Sequence, residues 1–340
     1  MELIYGTTQA WIGLVNMPLF LLMLCISTDF STEVERPVRP QVVEIAVTTL
    51  DLSDLVQTLG GEHVKVIPLV PGAVDPHKVT PRASMLLKLT RADALASMGL
   101  GYEHAYLPAL LEKVGRKDFG RGAGDVSQGG ENHFVASDFI GAALEIPVKL
   151  DRGAGVEVHP LGNPHWNTSP HLMRKVAVGL RDFLCLQQPQ FKEDFVKNWK
   201  AWDKKAGELI AHWTKWLAPA NAQGMVTYHR SWSYFAKSFG LVLRGEIEPK
   251  PGMPPTTRHL VALSRTMTDH KVKMILMEPW YSEGKLGNLP TMTGAKVVKV
   301  ASVSGNSGYL DWMHTVVSSV AGVLGIPEPM RGRSLSLIHI

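Results

Sequence analysis

Three of the thirteen histidines share a setting that suits a metal ion. His77 closes the run Val70-Pro71-Gly72-Ala73-Val74-Asp75-Pro76-His77, where proline and glycine force a loop after an apolar segment. His165 lies in His159-Pro160-Leu161-Gly162-Asn163-Pro164-His165-Trp166, again shaped by proline and glycine. His229 follows the apolar run Val226-Thr227-Tyr228 directly. Loops at strand ends are where α/β folds place ligands. Three neutral imidazoles suit Zn²⁺, which takes histidine nitrogen at about 2.0–2.1 Å. With ordinary imidazoles, several protons would leave as the ion binds near pH 6.5. The spacing alone does not bring the three together, and the chain has neither HExxH nor CxxC. His63, His104, His212, His259, His270 and His314 stand in helical or turn contexts that give them surface or core roles.

The elements that must carry these loops alternate between strand and helix. Val42–Thr49 is rich in β-formers, and Leu52–Leu59 has helical spacing before Gly60-Gly61. Val64–Val70 reads as a strand, Ala83–Ala96 as a helix, and Ala94–Leu100 turns apolar. Long helical stretches follow, from Ser169-Pro170 to about Leu186 and from about Gln190 to Leu217. The second carries Trp199, Trp202, Trp213 and Trp216 on one stripe, the pattern of a core face. Strand candidates then resume at Met225–Tyr228, Leu241–Ile247, Met274–Met277 and Lys296–Val300. Such alternation predicts parallel α/β units, here in two halves with long helices between them. Residues 115–132 are rich in glycine and charge and read as a flexible surface loop.

Composition narrows the function classes. Hydrophobic residues make up 45% and charged residues 19% of the 340, a globular balance. A net charge of +4 with no basic run interleaved with aromatics gives no reason for a nucleic-acid partner. Two cysteines, Cys25 and Cys185, exclude a cysteine-rich zinc module and a disulfide-stapled scaffold. Trp11–Ile26 is nearly all apolar and polar residues follow, which reads as a secretory segment. Cys25 ends a lipoprotein-like box, Leu22-Met23-Leu24-Cys25, though Leu24 is large for that position.

In order along the chain, six segments carry a likeness. They are Asp75-Pro76-His77 with Pro81; Gly99-Leu100-Gly101-Tyr102-Glu103; and Asn163-Pro164-His165-Trp166 with Ser169-Pro170. Val226-Thr227-Tyr228-His229 with Tyr234-Phe235, Met277-Glu278-Pro279, and Gly308-Tyr309-Leu310-Asp311-Trp312-Met313 complete the set. Over roughly residues 43–325 the chain resembles the periplasmic metal-binding proteins of ABC importers, of the zinc-uptake type. The resemblance implies an α/β protein: two lobes with parallel sheets, joined by a long rigid linker helix, the metal in the cleft between them. It implies ligands His77, His165 and His229, Zn²⁺ as the transported ion, and an ABC permease in the membrane as partner. Mn²⁺ or Fe²⁺ is the alternative cargo within the same family.

The expected organisation is an export segment at 1–28, a tether at 29–41, an N-terminal lobe at 42–168, the linker helix at 169–187, a C-terminal lobe at 188–330 and a tail at 331–340. The protein is expected outside the cytoplasmic membrane, in the periplasm, as a monomer that performs no bond chemistry; Cys25 is the residue that would carry a lipid anchor. Many members of that family add a carboxylate ligand before the terminal helix, and Val300–Gly308 contains none. Water is the expected fourth ligand, with Glu278 and Asp311 as alternatives. A three-histidine zinc hydrolase with Glu278 as general base, or an adhesin with a structural metal, is the reading from another class.

Overall fold

The structure is a computed structural model that describes residues 42–120, 130–147 and 159–330. The export segment, the tether, the tail and residues 121–129 of the glycine-rich run lie outside the described residues. No helix among the described residues is long and apolar enough to cross a membrane.

The first half runs β1 (Val43–Val47), α1 (Leu50–Gly60), β2 (Val64–Pro68), α2 (Ala83–Arg91), β3 (Ala94–Ser97), α3 (Leu107–Val114) and β4 (His133–Val135). Two long helices follow, α4 (Pro170–Gln187) and α5 (Lys192–Leu217). The second half runs β5 (Gly224–Thr227), α6 (Ser233–Phe239), β6 (Val242–Glu246), α7 (Thr257–Asp269), β7 (Met274–Met277), α8 (Leu289–Thr293), β8 (Lys296–Lys299) and α9 (Tyr309–Leu324).

Each half builds a four-stranded sheet, ordered β2-β1-β3-β4 in one and β6-β5-β7-β8 in the other. All strand pairs are parallel. Parallel strands covered on both faces read as unbroken apolar runs, and β3, β5 and β7 are buried at every residue. In each sheet the chain leaves the first strand to one side and returns on the other. That reversal opens a crevice at the carboxyl ends of the strands.

The helices begin where sequence chemistry starts them. Thr49 caps α1 by accepting from the Leu52 amide, and Ser169 caps α4 by accepting from Leu172, with Pro170 in the first turn. Helix α4 packs on α1 of the first lobe, α6 of the second, and α5. One hydrophobic cluster runs through both lobes, from Val43 and Ile45 through Trp213 to Met274 and Val316. Trp202, Trp213 and Trp216 are buried in it, and half-buried Trp199 packs against it. The Arg181 guanidinium covers Trp199 at 4.3 Å from the ring centre.

The helical reading of Ala83–Ala96 is too long. The helix stops at Arg91, because Asp93 bonds both ways to Glu44 at the edge of β1: the Asp93 amide donates to the Glu44 carbonyl, and its carboxylate accepts from the Glu44 amide. From Ala94 the chain pairs with β1. The three-residue β4 is absent from the sequence reading, since a run that short carries no period.

The Gly99–Glu103 segment proves to be a backbone device. Gly99 has φ +81°, and a Cβ there would come within 2.1 Å of Ser137 Oγ, so only glycine fits. The buried Glu103 carboxylate accepts from the Met98 amide at 2.7 Å and from Thr48 Oγ1 at 2.6 Å, fixing the loop between β3 and α3.

Candidate metal centre

His77 sits in the short turn Pro76–Lys78, whose first amide bonds are organised by Asp75. The Asp75 carboxylate accepts from the His77 amide at 3.1 Å and pairs with Lys78 Nζ at 2.7 Å. His165 is placed by Asn163: its Oδ1 accepts from the His165 amide at 2.9 Å and from ring Nδ1 at 3.0 Å. His229 stands two residues past the end of β5, and its Nδ1 donates to Glu248 Oε2 at 2.8 Å. A neutral ring that donates from Nδ1 carries its lone pair on Nε2. Asn163 and Glu248 thus orient the rings as the outer partners of metal-binding histidines do.

The structure brings the three rings together. Ring centres are 5.2 Å apart for His77–His165, 5.5 Å for His77–His229 and 5.3 Å for His165–His229. One nitrogen from each lies within 4.8 Å of the others, and all three residues are buried. His77 Nε2 and His165 Nε2 are 3.2 Å apart. A tetrahedral ion with about 2.05 Å bonds needs ligand nitrogens about 3.3 Å apart, so this edge already has the right length. His77 and His165 come from the first half, and His229 from the second.

Asn163 also ties the halves: its Nδ2 donates to the Arg230 carbonyl at 2.8 Å and to Glu145 Oε2 at 2.9 Å. His165 and His229 border a cleft of about 450 Å³, whose lining also includes Glu145, His159 and Arg230.

Burial sets the electrostatics. His77 is held well below the ordinary imidazole range by desolvation, then by its neighbours His165, His229, His159 and His104. His165 is lowered likewise, by desolvation and then by His229 and His159. Rings that stay neutral at physiological pH are ready to ligate a cation.

Neither candidate fourth ligand joins the cluster. Glu278, directly after β7, is fully buried and accepts from Trp232 Nε1 at 3.1 Å. Burial pushes its carboxyl up to about 7, against the pull of His229. Asp311 lies in the first turn of α9, beside Asp54.

Sequence reasoning missed four residues of this region. Asn163 stood within the Asn163-Pro164-His165 segment but went unrecognised as the ring's anchor. Glu248 is 19 residues from His229 and carries no local signal. His159 heads the same loop as His165, and that second imidazole was the signal available. His104, read as an isolated turn histidine, has its ring 5.3 Å from that of His77. His77, His104 and His159 form a second trio with ligand atoms within 4.8 Å of one another.

The comparisons agree with this architecture. The family model described as the zinc-uptake complex component A, periplasmic (ZnuA), matches residues 45–322. The zinc-binding lipoprotein AdcA of Streptococcus pneumoniae is 24% identical over 259 residues, 75% of this chain and 48% of its own length. The chain therefore spans about half the length of that relative. The high-affinity zinc uptake system protein ZnuA of Bacillus subtilis is 22% identical over 317 residues, 90% of this chain and 95% of its own. A zinc-bound crystal structure of a ZnuA deletion mutant shares the fold with a TM-score of 0.66 and 23% identity, covering 86% of this chain and 100% of that one. With 45–322 matched and the two-lobed fold shared, the chain belongs to the ZnuA family of periplasmic zinc-uptake components.

Proposed function

We propose that this protein captures Zn²⁺ between its lobes, outside the cytoplasmic membrane, and delivers it to the permease of an ABC importer. The observation that carries the reading is the buried trio of His77, His165 and His229, drawn from both halves of the chain with their nitrogens within 4.8 Å. Three neutral nitrogens suit Zn²⁺ better than the harder Mn²⁺, which takes oxygen ligands. Water completes the coordination. The ion enters and leaves unchanged, and the protein acts as a monomer with a lobe at 42–168, a linker at 169–187 and a lobe at 188–330. Glu278 favours carriage over hydrolysis: it is fully buried, accepts from the Trp232 indole and stands outside the histidine cluster.

X-ray absorption at the zinc edge on the loaded protein tests the site. It should return three imidazole nitrogens and one light ligand at about 2.0–2.1 Å, with His165→Ala lowering the imidazole count by one. An unchanged spectrum in that variant would place the ion elsewhere.

A further inference from the structure

We infer that His77, His104 and His159 form an outer metal position, a way-station that an incoming Zn²⁺ occupies before it reaches the inner trio. This rests on the reading of His77, His165 and His229 as the cargo site, because His77 belongs to both.

The outer trio is laid out like the inner one but faces solvent. Ring centres are 5.3 Å apart for His77–His104, 5.0 Å for His77–His159 and 5.5 Å for His104–His159. Burial is graded: His104 is exposed, His159 half-buried and His77 buried. His159 lines the same cleft as His165 and His229, so an ion in that cleft meets the outer trio beside the inner one.

Hydrogen bonding supplies an independent observation. His77 Nδ1 and His159 Nε2 are both buried with no hydrogen-bond partner among the described residues. Orphaned buried polar atoms are rare and call for a partner from outside the chain. His104 Nδ1 meets the Gly101 carbonyl at 3.0 Å and donates to it, which puts the lone pair of that ring on Nε2.

The tautomer of His77 follows from its neighbour. His165 donates from Nδ1 to Asn163, so its Nε2 accepts, and among the described residues His77 Nε2 stands 3.2 Å from it. His77 Nε2 therefore carries the proton, and its lone pair lies on Nδ1, the orphaned atom. In the ion-free protein His77 offers nothing to the inner site and one lone pair to the outer one.

A neutral imidazole ligates through one nitrogen at a time. The two positions are thus occupied in turn. Transfer exchanges the nitrogens of His104 and His159 for those of His165 and His229. As the ion moves from His77 Nδ1 to Nε2, the single ring proton passes by way of solvent from Nε2 to Nδ1, and His77 stays neutral throughout.

The test uses the full chain with Co²⁺ and Zn²⁺ as probes. His165→Ala/His229→Ala removes the inner site and should still bind one Co²⁺ per chain, about a hundredfold more weakly than the unaltered protein, a loss of about 2.7 kcal/mol. Adding His104→Ala should abolish that residual binding. If the alanine pair does not fold, judged by circular dichroism, the glutamine pair serves. No Co²⁺ binding to the folded inner variant, or equal binding with and without His104, would overturn the outer position. In a second arm, His104→Ala alone should slow Zn²⁺ association in stopped flow about tenfold, with His270→Ala as the unaffected control; an unchanged rate would overturn the way-station. Failure of the cargo-site reading shows separately, as undiminished Zn²⁺ affinity in His165→Ala/His229→Ala.

Discussion

His77, His165 and His229 could be singled out in the sequence because each closely follows an apolar segment, in a loop of the kind where α/β folds place ligands. What surrounds them could not. Burial holds His77 and His165 below their ordinary range, a property of the packed cleft that no local pattern carries. The consequence reverses a sequence-based expectation. Rings already neutral at pH 6.5 release no proton when the ion arrives, so His77 and His165 contribute none. Calorimetric titration with Zn²⁺ at pH 6.5, in buffers of different ionisation enthalpy, should count at most one proton released; two or more would mean that the rings titrate as free imidazoles. The same scale holds Glu248, whose carboxylate fixes the His229 ring at 2.8 Å. Loss of such an outer partner lowers metal affinity about 10–100-fold. Glu248→Ala should fall in that range and Glu248→Gln, which keeps an acceptor, should fall less; equal affinity in all three proteins would remove Glu248 from the site.

Among the elements, strands with long apolar runs and helices with caps were legible, as at Met274–Met277 and the start at Ser169-Pro170. Short or tertiary-determined pieces were not: β4 exists because β3 offers it a partner, and the end of α2 is set by Asp93 bonding to Glu44. Another such tie joins the lobes. Asp51 of α1 is fully buried, and it accepts from the Ser304 amide at 2.9 Å and from Asn167 Nδ2 at 3.3 Å. Asn167 Nδ2 in turn donates to the Ser302 carbonyl at 2.8 Å. Desolvation raises the Asp51 carboxyl to about 7, despite these donors.

The sign of its effect follows from that direction. The folded state holds this proton more tightly than the unfolded chain, so the stabilisation is complete below the ordinary value of 3.8 and is lost as pH rises through about 7. At about 1.36 kcal/mol per unit the loss approaches about 4 kcal/mol. Denaturant unfolding of the ion-free protein should show the wild type losing stability relative to Asp51→Asn between pH 4.5 and 7.5. A difference that does not vary with pH would contradict the account.

At the scale of the whole molecule, the two sheets repeat one strand order although no sequence repeat links them. Helices α4 and α5 and a shared hydrophobic cluster bind the lobes into one compact unit. Wide opening would expose that cluster, so under the proposed function release of the ion would fall to local movement of the loop that carries His229. The central claim is that this fold closes three imidazoles around Zn²⁺ with no carboxylate among the ligands. Three nitrogens favour Zn²⁺ over Mn²⁺ on the Irving–Williams order, and the lack of an anionic ligand disfavours the harder ion further. The most direct measurement is a competition titration of the ion-free protein with both metals, on the wild type and on His229→Glu. The account predicts strong preference for Zn²⁺ in the wild type and a narrower gap in the variant, which gains an oxygen and a charge. Equal affinity of the wild type for Mn²⁺ and Zn²⁺ would contradict it.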